Sequence, residues 1–60
     1  NGTEVFDQML LLFGKEAVAA FCRLNAYKYR MRAGKKPGNS IEQDVSKALW
    51  YEERLTALAA

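Results

Sequence analysis

The chain has 60 residues, half of them hydrophobic, and a formal net charge of +2, so one small folded domain is predicted rather than a disordered tail. A lone cysteine excludes an internal disulfide, and the absence of histidine excludes His-dependent catalysis by these residues. So short a chain gains core by self-association, which we expect here. Its apolar runs are too short to span a membrane and no signal-peptide pattern is found, which predicts a cytoplasmic location.

Two helices are predicted in the first half of the chain. The first is capped by Thr3, carries an apolar stripe at helical spacing, and ends at Gly14. The stripe consists of Val5, Phe6, Met9, Leu10 and Phe13. The second helix is predicted over about residues 15–33, with Gly34 as its stop.

A loop and a third helix complete the prediction. Residues 34–40 form the loop, because Pro37 and two glycines disfavour regular structure. Ser40 and Gln43 match a capping box, so the third helix is predicted over about residues 41–58. The fold class is therefore all-α: a short first helix followed by a two-helix antiparallel hairpin, completed by oligomerisation.

One face of the second helix changes character along its length. Its first turns carry the predicted core residues Val18, Phe21 and Cys22. Its last turns carry Asn25, Lys28, Tyr29 and Arg32. Because unpaired buried charge is costly, these polar groups either pair with acids on the third helix or line a pocket. Arg23 and Arg30 fall on the opposite face and are predicted to be solvated. Tyr27 and Met31, on the far side, are expected to make packing or oligomer contacts.

The third helix also carries two stripes. The predicted core stripe is Ile41, Val45, Ala48 and Leu55, and the neighbouring polar stripe is Asp44, Lys47, Tyr51 and Arg54. In an antiparallel hairpin, Asp44 faces the end of the second helix and is placed to pair with Arg32 or Lys28. Trp50 lies beside the polar stripe and off the core face, which is typical of a subunit contact or a stacking platform.

The basic residues around the loop have two interpretations. Cations in the last turn of a helix complement its dipole, which would account for Arg32, Lys35 and Lys36. The same lysines precede the start of the third helix, where free N–H groups favour an anion. There, Glu42 and Asp44 would oppose the anion unless a divalent metal intervened. The loop does not fit the Walker spacing, which excludes a Walker-type kinase.

Two motifs carry a resemblance to a known family. They are Asn25-Ala-Tyr-Lys-Tyr-Arg-Met-Arg-Ala-Gly-Lys-Lys36 and Asp44-Val-Ser-Lys-Ala-Leu-Trp-Tyr-Glu-Glu-Arg54. Over residues 4–58 the chain resembles a small bacteriophage domain family of largely unknown function that includes a nucleotide kinase without a Walker loop. The chain lacks the His-Tyr pair that precedes the acidic segment 4–7 in that family, through truncation ahead of Asn1 or through divergence.

The resemblance implies a nucleotide-handling site in a homo-oligomer, with ATP as co-substrate and Mg²⁺. The residues expected to be catalytic are Lys28, Arg32 and Asp44, the first two on phosphates and the third orienting the arginine or holding the metal. A substrate- or phosphate-binding role is expected for Asn25, Tyr29, Lys35, Lys36, Lys47, Tyr51 and Arg54. An interface or stacking role is expected for Trp50, Tyr27 and Met31.

The residues leave several functions open. The first is a nucleoside monophosphate kinase, in which positioning and charge neutralisation carry most of the chemistry. The second is a non-catalytic module that binds or sequesters nucleotides, and the third is a purely structural helical oligomer. DNA binding is disfavoured, because the basic cluster is short and Glu52 and Glu53 follow on the third helix.

Overall fold

The computed structural model describes residues 2–35 and 37–59, which form three helices: α1 is Gly2–Phe13, α2 is Lys15–Arg32 and α3 is Ile41–Ala59. The described residues contain no strand, so the all-α prediction is confirmed. α2 and α3 pack along each other as the predicted antiparallel hairpin, and α1 packs on the end of the hairpin away from the loop. Within this part of the chain, no helix combines the length and hydrophobicity that a membrane span requires.

The break between α1 and α2 is a single glycine. Gly14 has φ 88°; its N–H donates to the carbonyl of Leu10 at 3.0 Å, and its own carbonyl accepts from the N–H of Val18 at 3.2 Å. The residue therefore closes one helix and opens the next, as predicted. The predicted cap at Thr3 is wrong, because α1 already includes Gly2 and Thr3 lies in its first turn.

The turn after α2 depends on a second glycine. Ala33 ends the helix, and its N–H donates to the carbonyl of Tyr29 at 3.1 Å. Gly34 follows with φ 77°, and a Cβ at that position would stand 3.0 Å from Cγ1 of Ile41. Both the backbone conformation and the lack of space therefore require glycine at this position.

The start of α3 is fixed by the predicted capping box. The N–H of Gln43 donates to Oγ of Ser40 at 3.1 Å, and the N–H of Ser40 donates to Oε1 of Gln43 at 3.2 Å. Each side chain thus satisfies a backbone donor that the helix leaves unpaired. The predicted start at residue 41 is confirmed.

The buried core is small. Its apolar members are Phe6, Val18, Cys22, Ala26 and Ala48. Partly buried side chains surround it: Met9, Leu10, Trp50, Tyr51, Leu55 and Leu58. Burial raises the pKa of the Cys22 thiol, which fits its predicted role as a small core residue.

Two predicted core positions are corrected by the structure. Ile41 is 56% exposed and Phe21 is 40% exposed. Ile41 is the first residue of α3, at the end of the hairpin, where no further turn of helix covers it. On α2 the buried residues are Val18, Cys22 and Ala26, which follow each other at intervals of four. Phe21 lies at the edge of this line and meets Tyr51 of α3 edge to face, with ring centroids 5.7 Å apart.

Candidate functional site

Three cations converge on one aromatic ring near the loop end of the hairpin. Nζ of Lys28 lies 4.6 Å from the centroid of the Tyr29 ring, the guanidinium carbon of Arg32 lies 4.8 Å from it, and Nζ of Lys47 lies 5.3 Å from it. All three distances fall within the range of cation–π attraction. We call Lys28, Tyr29, Arg32 and Lys47 the Tyr29 cluster. It draws two cations from α2 and one from α3.

The Tyr29 cluster has more positive than negative charge. One carboxylate, that of Asp44, pairs with Arg32. Among the described residues, neither Lys28 nor Lys47 forms an ion pair, and both side chains are exposed. Three cations against one carboxylate leave an excess of two positive charges at a single place on the surface. Such an excess attracts anions.

The paired cation is held by a buried acid. Nη2 of Arg32 donates to Oδ1 of Asp44 at 3.0 Å; the Asp44 side chain is completely buried, while that of Arg32 is 25% exposed. This hydrogen bond is the main cause of the raised pKa of Arg32. Of the two partners considered for Asp44, the structure therefore places Arg32 against it. Nε of Arg32 and Oδ2 of Asp44 are buried without a hydrogen-bond partner among the described residues.

An aromatic wall continues from the Tyr29 cluster along α3. The rings of Tyr29 and Tyr51 are stacked, with centroids 6.0 Å apart and planes 7° from parallel. Trp50 meets Tyr51 edge to face at 5.1 Å. A groove of about 280 Å³ is lined by Tyr29, Lys47, Trp50 and Tyr51. Burial raises the pKa of Tyr51, so its phenol stays protonated and can donate a hydrogen bond.

A second groove shares this wall and extends it toward α1. It also measures about 280 Å³ and is lined by Val5, Phe6, Met9, Phe21, Trp50 and Tyr51. The two grooves together place an apolar surface beside a cationic one. No polar motif marks the α1 residues of the second groove, and they were not among the predicted site residues. The helical periodicity of α1 was the signal that could have pointed to them.

Several predicted site residues lie away from the Tyr29 cluster. Nδ2 of Asn25 donates to the carbonyl of Phe21 on its own helix at 2.8 Å. The guanidinium carbon of Arg54 lies 4.7 Å from the Trp50 ring, at a groove that α1 also lines. Lys35 is exposed in the turn after α2. Lys36 lies outside the described residues.

Two predictions about the flanks of the site are wrong. Arg30 is not simply solvated: its Nε and Nη2 donate to the carboxylate of Glu52 on α3 at 2.9 and 2.7 Å. Trp50 does not lie off the packed surface, because it meets Phe6 of α1 edge to face at 5.8 Å and is partly buried. In both cases a neighbouring helix contacts side chains that lie outside the predicted core stripe: α3 contacts Arg30 and α1 contacts Trp50.

The start of α3 suits an anion less well than the Tyr29 cluster does. A groove of about 480 Å³ there is lined by Asn39, Glu42, Gln43, Ser46 and Lys47. The capping box uses the N–H group of Gln43 in the first turn of this helix, and the Glu42 carboxylate repels an anion. The described residues contain no group of three or more His, Cys, Asp or Glu side chains that could hold a metal ion. Any Mg²⁺ would take most of its oxygen ligands from a bound phosphate.

Comparison with known proteins places the chain in a family. Residues 1–53 match the family described as a protein of unknown function, DUF3310, and the chain belongs to this family. It is similar to the SaV protein of Lactococcus phage p2 and to the SaV protein of Lactococcus phage SK1, each 36% identical over 58 residues, or 97% of this chain. The chain spans 45% of the length of each of these curated relatives. No solved structure matches it. The predicted membership of a phage family of unknown function is confirmed.

Proposed function

We propose that this protein binds a nucleotide at the Tyr29 cluster and acts as a nucleoside monophosphate kinase-like phosphoryl transferase, with ATP as co-substrate and Mg²⁺, in the cytoplasm of the host cell. The observation that carries the proposal is the convergence of three cations on one tyrosine ring beside a single carboxylate. Cations gathered around one ring repel each other, and a bound anion offsets this repulsion. A phosphate group offers several oxygen acceptors to several donors at once.

The cations of the cluster suit different parts of a phosphate chain. Lys28 and Lys47 are exposed and approach the Tyr29 ring from α2 and α3. In the proposed complex both contact the phosphates. Arg32 is oriented by Asp44, which fixes the plane of its guanidinium group before a ligand arrives. A planar donor held in advance loses little side-chain entropy on binding.

The aromatic wall suits the base. Tyr29, Tyr51 and Trp50 present ring faces and edges directly beside the lysines, at the groove that Lys47 also lines. Stacking on aromatic side chains is the common way in which proteins hold a base irrespective of its identity. In the proposed complex the phosphates lie on the Tyr29 cluster and the base lies along Tyr51 and Trp50.

The catalytic part of the proposal is supported by the resemblance over residues 4–58. Phosphoryl transfer needs in-line positioning and neutralised charge, which a cationic groove supplies. When bound, Mg²⁺ would neutralise phosphate oxygens. The Asp44 carboxylate is held by Arg32, so its expected catalytic role is to keep that guanidinium in place. The geometry supports binding more directly than catalysis, and the two parts are tested separately.

Calorimetric titration with nucleoside monophosphates tests the binding part. We expect Lys28→Ala and Lys47→Ala each to weaken binding about tenfold or more, since a hydrogen bond to a charged group contributes roughly 1.5–3 kcal/mol. Lys15→Ala, which removes the same charge at the far end of α2, is the matched control and should bind normally. Equal affinity for the nucleoside and its monophosphate would refute phosphate recognition.

Product analysis with ATP and Mg²⁺ tests the catalytic part. Each monophosphate that binds is incubated with the protein, and ADP formation is followed by chromatography. Lys28→Ala is expected to abolish it while the helical fold persists, since Lys28 is exposed and forms no ion pair among the described residues. Tight binding with recovery of unaltered nucleotide would refute the kinase activity. It would support the alternative function of a non-catalytic module that sequesters nucleotides.

Self-association is also part of the proposal. The chain exposes 4395 Å², whereas a folded monomer of 6.8 kDa exposes about 4,000 Å². The α1 side chains Leu11, Leu12 and Phe13 are 86%, 72% and 69% exposed, and residues 8–13 carry no charge. Two copies can therefore bring these surfaces together without like-charge repulsion. Light scattering should show a dimer or larger assembly that Leu11→Gln with Leu12→Gln dissociates, and a monomeric wild type would refute it.

A further inference from the structure

The outer face of α2 carries an apolar stripe that stays exposed within residues 2–35 and 37–59. Leu24, Tyr27 and Met31 are 68%, 67% and 51% exposed, and they point away from the buried line of Val18 and Cys22. Exposed large apolar side chains are common one by one, whereas three on one helix face are typical of a contact surface. The stripe belongs neither to the Tyr29 cluster nor to the grooves beside it.

The spacing of the stripe is that of a helix–helix contact. Ala20, Leu24, Tyr27 and Met31 follow each other at intervals of four, three and four residues. This alternation repeats every seven residues and keeps the side chains on one seam, into which the side chains of a second helix can interdigitate. A single α-helix lying along α2 is therefore the shape of partner that fits.

The charges beside the stripe indicate what kind of partner helix it binds. Arg23 and Arg30 flank the seam on one side and Lys28 flanks it on the other, while residues 17–32 contain no acid. Arg30 already pairs with Glu52; Arg23 and Lys28 form no ion pair among the described residues. A second copy of α2 would bring cations against cations, which disfavours self-pairing here, in contrast to the uncharged α1 surface.

We propose that the outer face of α2, formed by Leu24, Tyr27 and Met31, docks an amphipathic helix of another protein whose apolar seam is flanked by Asp and Glu. The apolar side chains supply the buried contact, and the flanking cations select the acidic partner and orient it. This surface borders the nucleotide site at Lys28, which flanks both, but Leu24, Tyr27 and Met31 lie outside that site. Binding to the apolar face therefore does not require that the proposed function be correct.

Two synthetic helical peptides test the proposal. Both carry Leu at the seam positions of four heptads; one has Glu and the other has Lys at the flanking positions, so each repels its own copies. Fluorescence anisotropy of the labelled peptides measures their binding to the full chain. We expect the Glu peptide to bind at least tenfold more tightly than the Lys peptide. The combined change Leu24→Gln, Tyr27→Gln and Met31→Gln should abolish its binding, while Leu49→Gln on α3 should not.

If the outer face of α2 binds something other than an acidic helix, the same experiments give different results. Equal binding of the two peptides, or unchanged binding by the triple variant, would overturn the proposal. A dimer that the triple variant dissociates would instead assign the face to a second copy. Binding to anionic vesicles that the triple variant loses, without binding of the Glu peptide, would assign it to a lipid surface and also overturn the proposal. Circular dichroism is used to check that each variant remains helical.

Discussion

Removing either partner of the Arg32–Asp44 pair should destabilise the fold unequally. The Asp44 side chain is completely buried and that of Arg32 is 25% exposed. Arg32→Ala leaves a carboxylate buried without its cation, whereas Asp44→Ala leaves a guanidinium that can turn toward water. We therefore expect Arg32→Ala to be the more damaging change, although arginine is the more exposed partner.

The size of the difference follows from the burial of Asp44. A buried charge that loses its partner costs about 3–5 kcal/mol, against a total stability of roughly 3–9 kcal/mol for 60 residues. Asp44→Ala loses one hydrogen bond of about 1 kcal/mol, and part of this is recovered because alanine favours helix by roughly 0.5 kcal/mol. At about 4–8 °C per kcal/mol, Tm should fall by roughly 12 °C or more with Arg32→Ala and by a few degrees with Asp44→Ala.

Thermal and urea unfolding followed by circular dichroism at pH 7 measure the effect. The double variant Arg32→Ala with Asp44→Ala should be more stable than Arg32→Ala alone, because it removes the unpaired carboxylate as well. If Asp44→Ala proved as damaging as Arg32→Ala, the reasoning from burial would be refuted.

Three further predictions concern the loop and the outer ion pair. Gly34→Ala should lower Tm more than Gly38→Ala, because both have positive φ but only Gly34 would place a Cβ 3.0 Å from another side chain; equal losses would contradict this. Ser40→Ala should cost about 1 kcal/mol by removing one side of the capping box, and an unchanged Tm would show that the box is not populated in solution. Arg30 lowers the pKa of Glu52 through their hydrogen bond, so the pair stabilises the fold above the ordinary glutamate pKa and loses that effect as pH falls through the lowered value. The stability difference between the wild type and Glu52→Gln should therefore vanish in acid, and a difference that persists there would contradict the pairing.

The helix boundaries were predictable because they depend on local signals. Gly14 and Gly34 adopt positive φ at the two predicted stops, and Ser40 and Gln43 form the predicted capping box. Each signal involves residues within four positions of one another, so no tertiary information is needed to interpret it. The predicted cap at Thr3 placed the first helical residue at Glu4, two residues after the observed start at Gly2, which is within the usual uncertainty of a helix end.

The candidate site was predictable in part. The antiparallel hairpin predicted that Asp44 pairs with Arg32 or Lys28, since all three lie near the loop, and the structure selects Arg32. The Arg30–Glu52 pair and the contact of Trp50 with Phe6 were missed. A helical projection gives the direction of each side chain around its own helix, but it does not give which of these directions a neighbouring helix occupies. For the same reason Phe21 was predicted in the core, whereas it is 40% exposed beside the buried residues Val18, Cys22 and Ala26.

The sequence by itself determined three helices, their boundaries and the identity of the residues beside the loop. Periodicity, glycine and capping act within one or two helical turns, so they depend only on residues that are close in the sequence. The tertiary structure decided which of the cations meet: Lys47 of α3 reaches the Tyr29 ring together with Lys28 and Arg32, whereas Arg54 lies against Trp50. Distances between side chains of different helices depend on how closely the helices pack and at what rotation, and this is set by the whole core at once.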